Sequence, residues 1–342
     1  MKNQIKPLAK SKIEVIIEFN NDDLIPFKNK ALEELGRNLT LKGYRQGKAP
    51  LALVEAAVSP LEVYEKLALF ALEKFYPQII RENKIEALGQ PLVSMTKLIP
   101  NSLVELKLEI SVMPHLKLAD YHKIAKEKQT ERKPVTVEDQ EITEALTWLQ
   151  KTKATTDSKT NTKTIPPLDD MFAQSLGNFK NLEELKKNIK EGLTFEKQEK
   201  EKERWRLDVM EEIIKQISEE IPDILIEAEK SKMLEELKIR LTEIQLPFEE
   251  YLKQIKKTEE ELLKDFLPLA EKRVKMALVL KEIADQEKIE ITETEIDQKV
   301  NEILKQLPDP ELKNKINLEE LKIFASGLIR NEKVFELLEK QQ

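Results

Sequence analysis

The chain has 342 residues, with 57 Lys or Arg against 64 Asp or Glu, a formal net charge of −7, 35% charged side chains and only 7 glycines. Globular domains average roughly a quarter charged residues and about 7% glycine, so this composition leans away from turn-rich sheets and toward long, solvated helices. The absence of cysteine excludes disulfide frameworks, thiolate metal sites and thiol nucleophiles. The two imidazoles, His115 and His122, lack a second histidine or carboxylates at ligand spacing on one helical face, so both read as structural and no metal or other cofactor is expected. At roughly 150 residues per domain the length suggests about two or three domains, and 40% hydrophobic content supports sizeable cores. The amino terminus lacks the apolar core of a secretory signal. The longest apolar run, Leu67 to Leu72, falls far short of the about 20 residues a membrane span needs. A cytoplasmic protein with no membrane or DNA partner is the expectation, because a mildly acidic net field gives no reason for wrapping nucleic acid.

In chain order, Ile13 to Phe19 is β-branched and aromatic and is followed by Asn20, Asn21 and Asp22, which reads as a strand ending in a turn. Phe27, Ala31, Leu35 and Leu39 then recur every four residues, one face of a helix that Gly36 weakens near its end. After a loop, Leu61, Tyr64, Leu67, Ala68, Ala71, Leu72, Phe75 and Ile79 trace a longer amphipathic helix. A strand around Leu92 to Ile99, a turn at Pro100-Asn101-Ser102 and a strand alternating through Val104, Leu106, Leu108, Ile110 and Val112 form a hairpin. Residues 1–113 therefore read as a compact α+β domain.

The loop between the two helices is the most informative stretch. Gly43 and Gly47 concentrate backbone freedom in a glycine-poor chain, and Pro50 suits a helix start. From Leu35 to Val54 there are four basic residues, Arg37, Lys42, Arg45 and Lys48, and no acidic one, a local reversal of the global charge. Gly43-Tyr-Arg-Gln-Gly47-Lys48 is not a P-loop. That motif needs four residues between its glycines and Ser or Thr after the lysine, whereas three intervene here and Ala49 follows. Tyr44 beside Arg45 is instead the composition of an interaction hot spot, and the bland alternative is a solvated connection.

Residues 114–168 read as an extended linker holding one helix, capped by Thr136 with Asp139 and carrying Ile142, Leu146 and Leu149 on one face. That helix fades near Lys153, and the Thr/Lys-rich run from Thr152 to Thr164, with one Ala and no larger apolar residue, cannot bury a core. Residues 169–342 read as helical almost throughout. Asn181 with Glu184 caps a helix running to Glu220, about 60 Å long, whose Glu196 to Arg206 stretch reads as a solvated face. Pro222 suits the next first turn, with Leu234, Leu237, Leu241 and Ile244 as its buried stripe. Thr258 with Glu261 and Thr292 with Glu295 cap two more helices. Met276, Val279, Leu280 and Ile283 form the core face of the first, and Val300, Ile303, Leu304 and Leu307 that of the second. Pro308-Asp-Pro310 breaks the chain before a last helix over about Leu318 to Leu338.

Gly43-Tyr44-Arg45-Gln46-Gly47-Lys48-Ala49-Pro50 resembles the Gly-Phe-Arg-x-Gly-Lys-x-Pro signature of trigger factor, the bacterial ribosome-associated chaperone family. Ile165 to Phe172, Ile221 to Glu229 and Ala270 to Ile283 also resemble that family. The resemblance implies an α+β ribosome-binding domain followed by a mainly helical, extended, two-armed chaperone domain. It implies an ATP-independent chaperone that docks on protein and RNA beside the exit tunnel and shields nascent chains, aiding folding and export. In the family the loop tip docks on a ribosomal protein beside the exit tunnel, and the aromatic, the arginine and the following residue make the contact, which implies that role for Tyr44, Arg45 and Gln46. Gln46 stands where some members carry lysine, leaving one electrostatic contact open. Between the flanking motifs most members hold a peptidyl-prolyl isomerase domain of the FK506-binding type, and here only the linker lies there, so the chain is expected not to be an enzyme. Homodimer formation off the ribosome stays open, and the rival readings are a helical scaffold, which would need a sustained heptad seam, and a residual isomerase.

Overall fold

The computed structural model describes residues 1–156, 163–306 and 316–340. The middle of the Thr/Lys-rich linker, Leu307 and the Pro308-Asp-Pro310 break lie outside the described residues. The chain divides into two compact units, Met1–Lys117 together with Ile217–Glu282, and Leu118–Gln216 together with Ile283–Gln342.

In the first unit four antiparallel strands lie in the order β1-β2-β4-β3: β1 Lys2–Leu8, β2 Lys12–Asn20, β3 Ala87–Ile99 and β4 Leu103–Val112. Alternation in β2 and β4 coincides in register. Val15 pairs with Leu108, Ile17 with Leu106 and Phe19 with Val104, so one face of both strands is fully buried. The opposite face is charged, with Lys107 2.6 Å from Glu14 and Lys97 2.7 Å from Glu105. Helices α1 (Asn21–Leu24), α2 (Lys28–Gly36), α3 (Leu51–Ala57) and α4 (Pro60–Glu82) supply Leu24, Ala31, Leu32, Val54, Leu67, Ala68 and Ala71 to the same core. Ala68 and Ala71 are wholly buried, small side chains where α4 meets the core.

Strand β1 was not expected. All seven of its residues are exposed, so it leaves no burial periodicity in the sequence, and its Lys2, Lys6 and Pro7 are residues that guard a sheet edge against further pairing. The opposite edge, β3, starts earlier than expected and is interrupted by register shifts between Leu88 and Leu92 and between Met95 and Lys97. Beyond the strands, the first unit holds α9 (Asp223–Glu243), α10 (Phe248–Ile255) and most of α11 (Glu259–Gln286). Arg273 on α11 reaches Glu229 at 3.2 Å and Glu236 at 3.1 Å on α9. Leu234 and Leu241 are buried as the stripe requires, but Leu237 is only partly buried and Ile244 is 68% exposed, because α9 ends at Glu243 and Ile244 is its C-cap.

The second unit contains α5 (Tyr121–Thr130), α6 (Asp139–Thr152), α7 (Asp170–Leu176), α8 (Leu182–Lys215), α12 (Glu293–Gln306) and α13 (Leu318–Glu339). Residues 155–156 and 163–164 pair as two short strands. Helix α6 is capped not by Thr136 but by Glu138, in a reciprocal box with Glu141: the backbone enters the helix two residues later than the Thr-Asp pair suggests. Asn181 caps α8, its side chain accepting the Glu184 N–H at 2.9 Å, yet α8 stops at Lys215 rather than Glu220. Its charged middle is not a uniformly solvated face: Lys197 lies 2.6 Å from Glu141 of α6, and Lys202 lies 3.8 Å from both Glu332 and Glu339. Trp205 is buried with the Arg132 guanidinium 5.5 Å from its ring, and Arg206 pairs with Glu332 at 2.6 Å and Glu339 at 2.7 Å on α13. The chain is thus α+β in its amino-terminal portion and mainly helical in its carboxy-terminal one.

Candidate functional site

The basic loop spans residues 37–50, between α2 and α3. Its roots are apolar: Leu39, Ala49 and Leu51 pack against the core of the first unit. Leu39, which the four-residue spacing assigns to the helix face, lies past the last helical residue Gly36 and anchors the loop instead, its N–H donating to the Gly36 carbonyl at 3.1 Å. The Gly47 N–H closes the loop onto the Leu39 carbonyl at 3.3 Å. Two tight turns shape the protruding part, the Tyr44 N–H donating to Leu41 and the Lys48 N–H to Arg45, both at 3.0 Å. Both glycines take left-handed backbone, φ 90° at Gly43 and 74° at Gly47, where side chains are disfavoured. Pro50 is the N-cap of α3, its carbonyl accepting the Leu53 and Val54 N–H groups.

All seven residues read from the sequence as a site therefore sit in one rooted loop. Tyr44 is 43% exposed, and Arg45, Gln46 and Lys48 are exposed as well. A ring, a guanidinium and an amide at one apex, with Lys42 and Lys48 nearby, can meet an acidic or phosphate-bearing partner by hydrogen bonds and stacking. The acidic residues that bound the loop are engaged elsewhere: Glu34 accepts from Lys66 of α4 at 2.5 Å and Glu55 lies 2.5 Å from Lys28 of α2. The Lys66 hydrogen bond, aided by the charges of Lys66, Arg37 and Lys30, holds the Glu34 carboxyl below its ordinary value. Neither Lys66 nor Lys28 stands out in the sequence, since each partner comes from a separate helix.

Elsewhere, Glu287 accepts from the Tyr121 hydroxyl at 2.6 Å and lies 3.0 Å from His122 Nε2, contacts that depress its pKa. The Tyr121 hydroxyl is pushed well above its usual range, mostly by burial. Among the described residues no group of three or more His, Cys, Asp or Glu could hold a metal ion, and no helix is long and apolar enough to cross a membrane.

Two family models match the chain, the bacterial trigger factor protein over residues 1–149 and the bacterial trigger factor protein C-terminus over residues 181–340. The chain belongs to the trigger factor family. That family is one of ribosome-associated chaperones whose members bind ribosomes and nascent chains. The chain is 24% identical over 427 aligned positions to a trigger factor of Carboxydothermus hydrogenoformans, covering 99% of both proteins, and 23% identical over 415 positions to one of Clostridium kluyveri, covering 96% of this chain and 95% of the relative. In the first alignment, 427 positions against 342 residues leave at least 85 positions facing no residue of this chain. Residues 150–180 fall in neither family model. A solved structure from "Promiscuous Substrate Recognition in Folding and Assembly Activities of the Trigger Factor Chaperone" superposes with a TM-score of 0.64 at 15% identity, covering all of both chains, and shares the fold.

Proposed function

We propose that the 43–50 loop is the element with which this trigger factor docks on the ribosome, with Tyr44, Arg45 and Gln46 as the contact, Gly43 and Gly47 setting the bend, and Lys48 and Pro50 completing the loop. The observation that carries this reading is an exposed aromatic–guanidinium tip on a loop that contains no acidic residue and is rooted in a packed core. Docking is the work of residues 1–113, residues 114–168 are the linker, and residues 169–342 hold nascent chains without nucleotide chemistry, in the cytoplasm. Large apolar side chains on the surface, Phe195 at 66%, Ile323 at 73% and Phe324 at 56% exposure, favour transient burial of apolar client segments at about 25 cal/mol per Å². Off the ribosome the chain is open to self-association through the same surfaces.

The chain performs no prolyl isomerisation in this reading, because the 31 residues between the two family models, 150–180, are too few for an isomerase domain. The docking test is co-sedimentation with ribosomes. Replacing Tyr44, Arg45 and Gln46 together by Ala removes the hot-spot side chains, each worth on the order of 2 kcal/mol, and abolishes co-sedimentation while leaving the circular dichroism unchanged. Undiminished binding by that variant rules out the tip as anchor.

A further inference from the structure

Helix α4 ends at Glu82, with Asn83 as its C-cap, and the chain then turns back on itself. Lys84 takes left-handed backbone at φ 52°, and the Ile85 N–H donates to the Ile80 carbonyl at 3.0 Å. That hydrogen bond folds the residues beyond the cap over the last turn of the helix. The result is a shallow groove of about 640 Å³ along residues 76–89. Its floor is apolar, built by Pro77, Ile80, Ile85 and Ala87, and Arg81 and Lys84 stand exposed beside it.

Neither cation is matched by a carboxylate among the described residues. Three and four positions away, where a helical partner would stand, Arg81 has Pro77, Gln78, Lys84 and Ile85, and Lys84 has Ile80, Arg81, Ala87 and Leu88. Glu82 is one position from Arg81 and two from Lys84, spacings at which helical side chains do not face each other. Glu86, on the groove's lining, lies 3.4 Å from Lys281 of α11. In a chain of net charge −7 the groove therefore joins an apolar floor to two uncommitted cations.

We propose that this groove is a further interaction surface, which takes an acidic amphipathic helix of a partner protein. The partner's apolar stripe covers Pro77, Ile80, Ile85 and Ala87, and carboxylates flanking that stripe pair with Arg81 and Lys84. A shallow groove does not enclose a small molecule, whose sites bury most of the ligand, whereas a helix laid along an apolar groove is a recurring mode of peptide recognition. The cations fix the sign of its flanks, because unlike charges across an interface select the partner and like charges reject it. The inference stands independently of the docking loop.

The experiment titrates the full-length protein into a dye-labelled synthetic helix of about 15 residues, with a Leu stripe flanked by Glu, and reads affinity by fluorescence anisotropy. Arg81→Gln combined with Lys84→Gln weakens binding about fivefold, the worth of two exposed charge pairs. A twin peptide with Lys in place of Glu, which acidic parts of the surface can hold, is unaffected by that variant. Pro77→Glu restores a backbone donor to α4 and sets a carboxylate four residues before Arg81, the favoured orientation for a helical pair, so it captures Arg81 and weakens the Glu peptide with helix content retained by circular dichroism. Lys186→Gln combined with Lys187→Gln, both exposed on α8, changes net charge equally and leaves affinity unchanged. Failure of the wild type to bind the Glu peptide overturns the proposal. Wild-type affinity in the Arg81 and Lys84 variant overturns it as well, and a lowered urea midpoint there would mean that the cations serve only the C-terminus of α4. Wild-type affinity in Pro77→Glu removes the floor from the site and overturns it too. An equal loss in the α8 variant assigns the effect to net charge, and an equal loss of both peptides assigns it to altered structure; either result refutes the proposal.

Discussion

At Gly47 the backbone takes φ 74°, and a β-carbon added there would stand 3.0 Å from the Arg37 carbonyl oxygen. The neighbour is main chain and cannot rotate away, so strain from the left-handed conformation adds to crowding. Gly43, at φ 90°, faces open space and carries only the conformational part. Gly47→Ala is therefore expected to cost about 1–3 kcal/mol and to weaken ribosome binding, whereas Gly43→Ala costs about 1 kcal/mol. Urea unfolding with parallel co-sedimentation compares them, and equal costs at the two positions would contradict this account. The two glycines look alike in the sequence. What distinguishes them is the return of the chain past Arg37, a tertiary fact that the spacing of letters does not carry.

Among the elements, legibility followed burial. Strands β2 and β4 and helix α4 bury one face each, and their periods of two and near four announce them. The caps at Asn181, Thr258 and Thr292 were legible for a local reason, since both partners of each lie within one turn. Strand β1 was not legible because backbone pairing alone holds it, and Trp205 and Arg206 were misread because their partners, Arg132, Glu332 and Glu339, lie far along the chain. The start of α12 combines both kinds of contact. Glu295 accepts from its own cap residue Thr292 and lies 2.7 Å from Lys333 of α13, and the hydrogen bond from Lys333 is the main reason its carboxyl is held down to about 2. A carboxyl lowered in the folded state stabilises above its unfolded value, about 4.3, and loses that contribution as pH falls through the folded one. The stability difference between wild type and Lys333→Met should therefore be constant above about pH 5 and close between there and pH 2. Urea midpoints at pH 6, 4 and 3 measure it, and a gap that widens on acidification would refute the assignment.

At the scale of the whole molecule, at least 85 aligned positions of a full-length relative have no counterpart here, while both terminal family models are matched. Proline-limited refolding of a test substrate should accordingly proceed at its spontaneous rate, tens to hundreds of seconds at 25 °C, in the presence of catalytic amounts of this protein; acceleration would overturn the non-enzymatic reading. Its rate in stoichiometric amounts reports holding rather than catalysis.

The division of the chain also fixes an order of assembly. Neither unit is a contiguous stretch: the polypeptide leaves the first after Lys117, returns at Ile217 and departs again after Glu282. During synthesis, at about 5–20 residues per second, the sheet and its covering helices have their partners early, because β1 to β4 and α1 to α4 all precede Lys117. Arg206 waits for Glu332 and Glu339, more than 120 residues downstream, so α8 emerges before the helix that neutralises it. A chaperone of nascent chains is, for those several seconds, itself a nascent chain, with Trp205 of α8 already beside Arg132 and Arg206 still without its carboxylates.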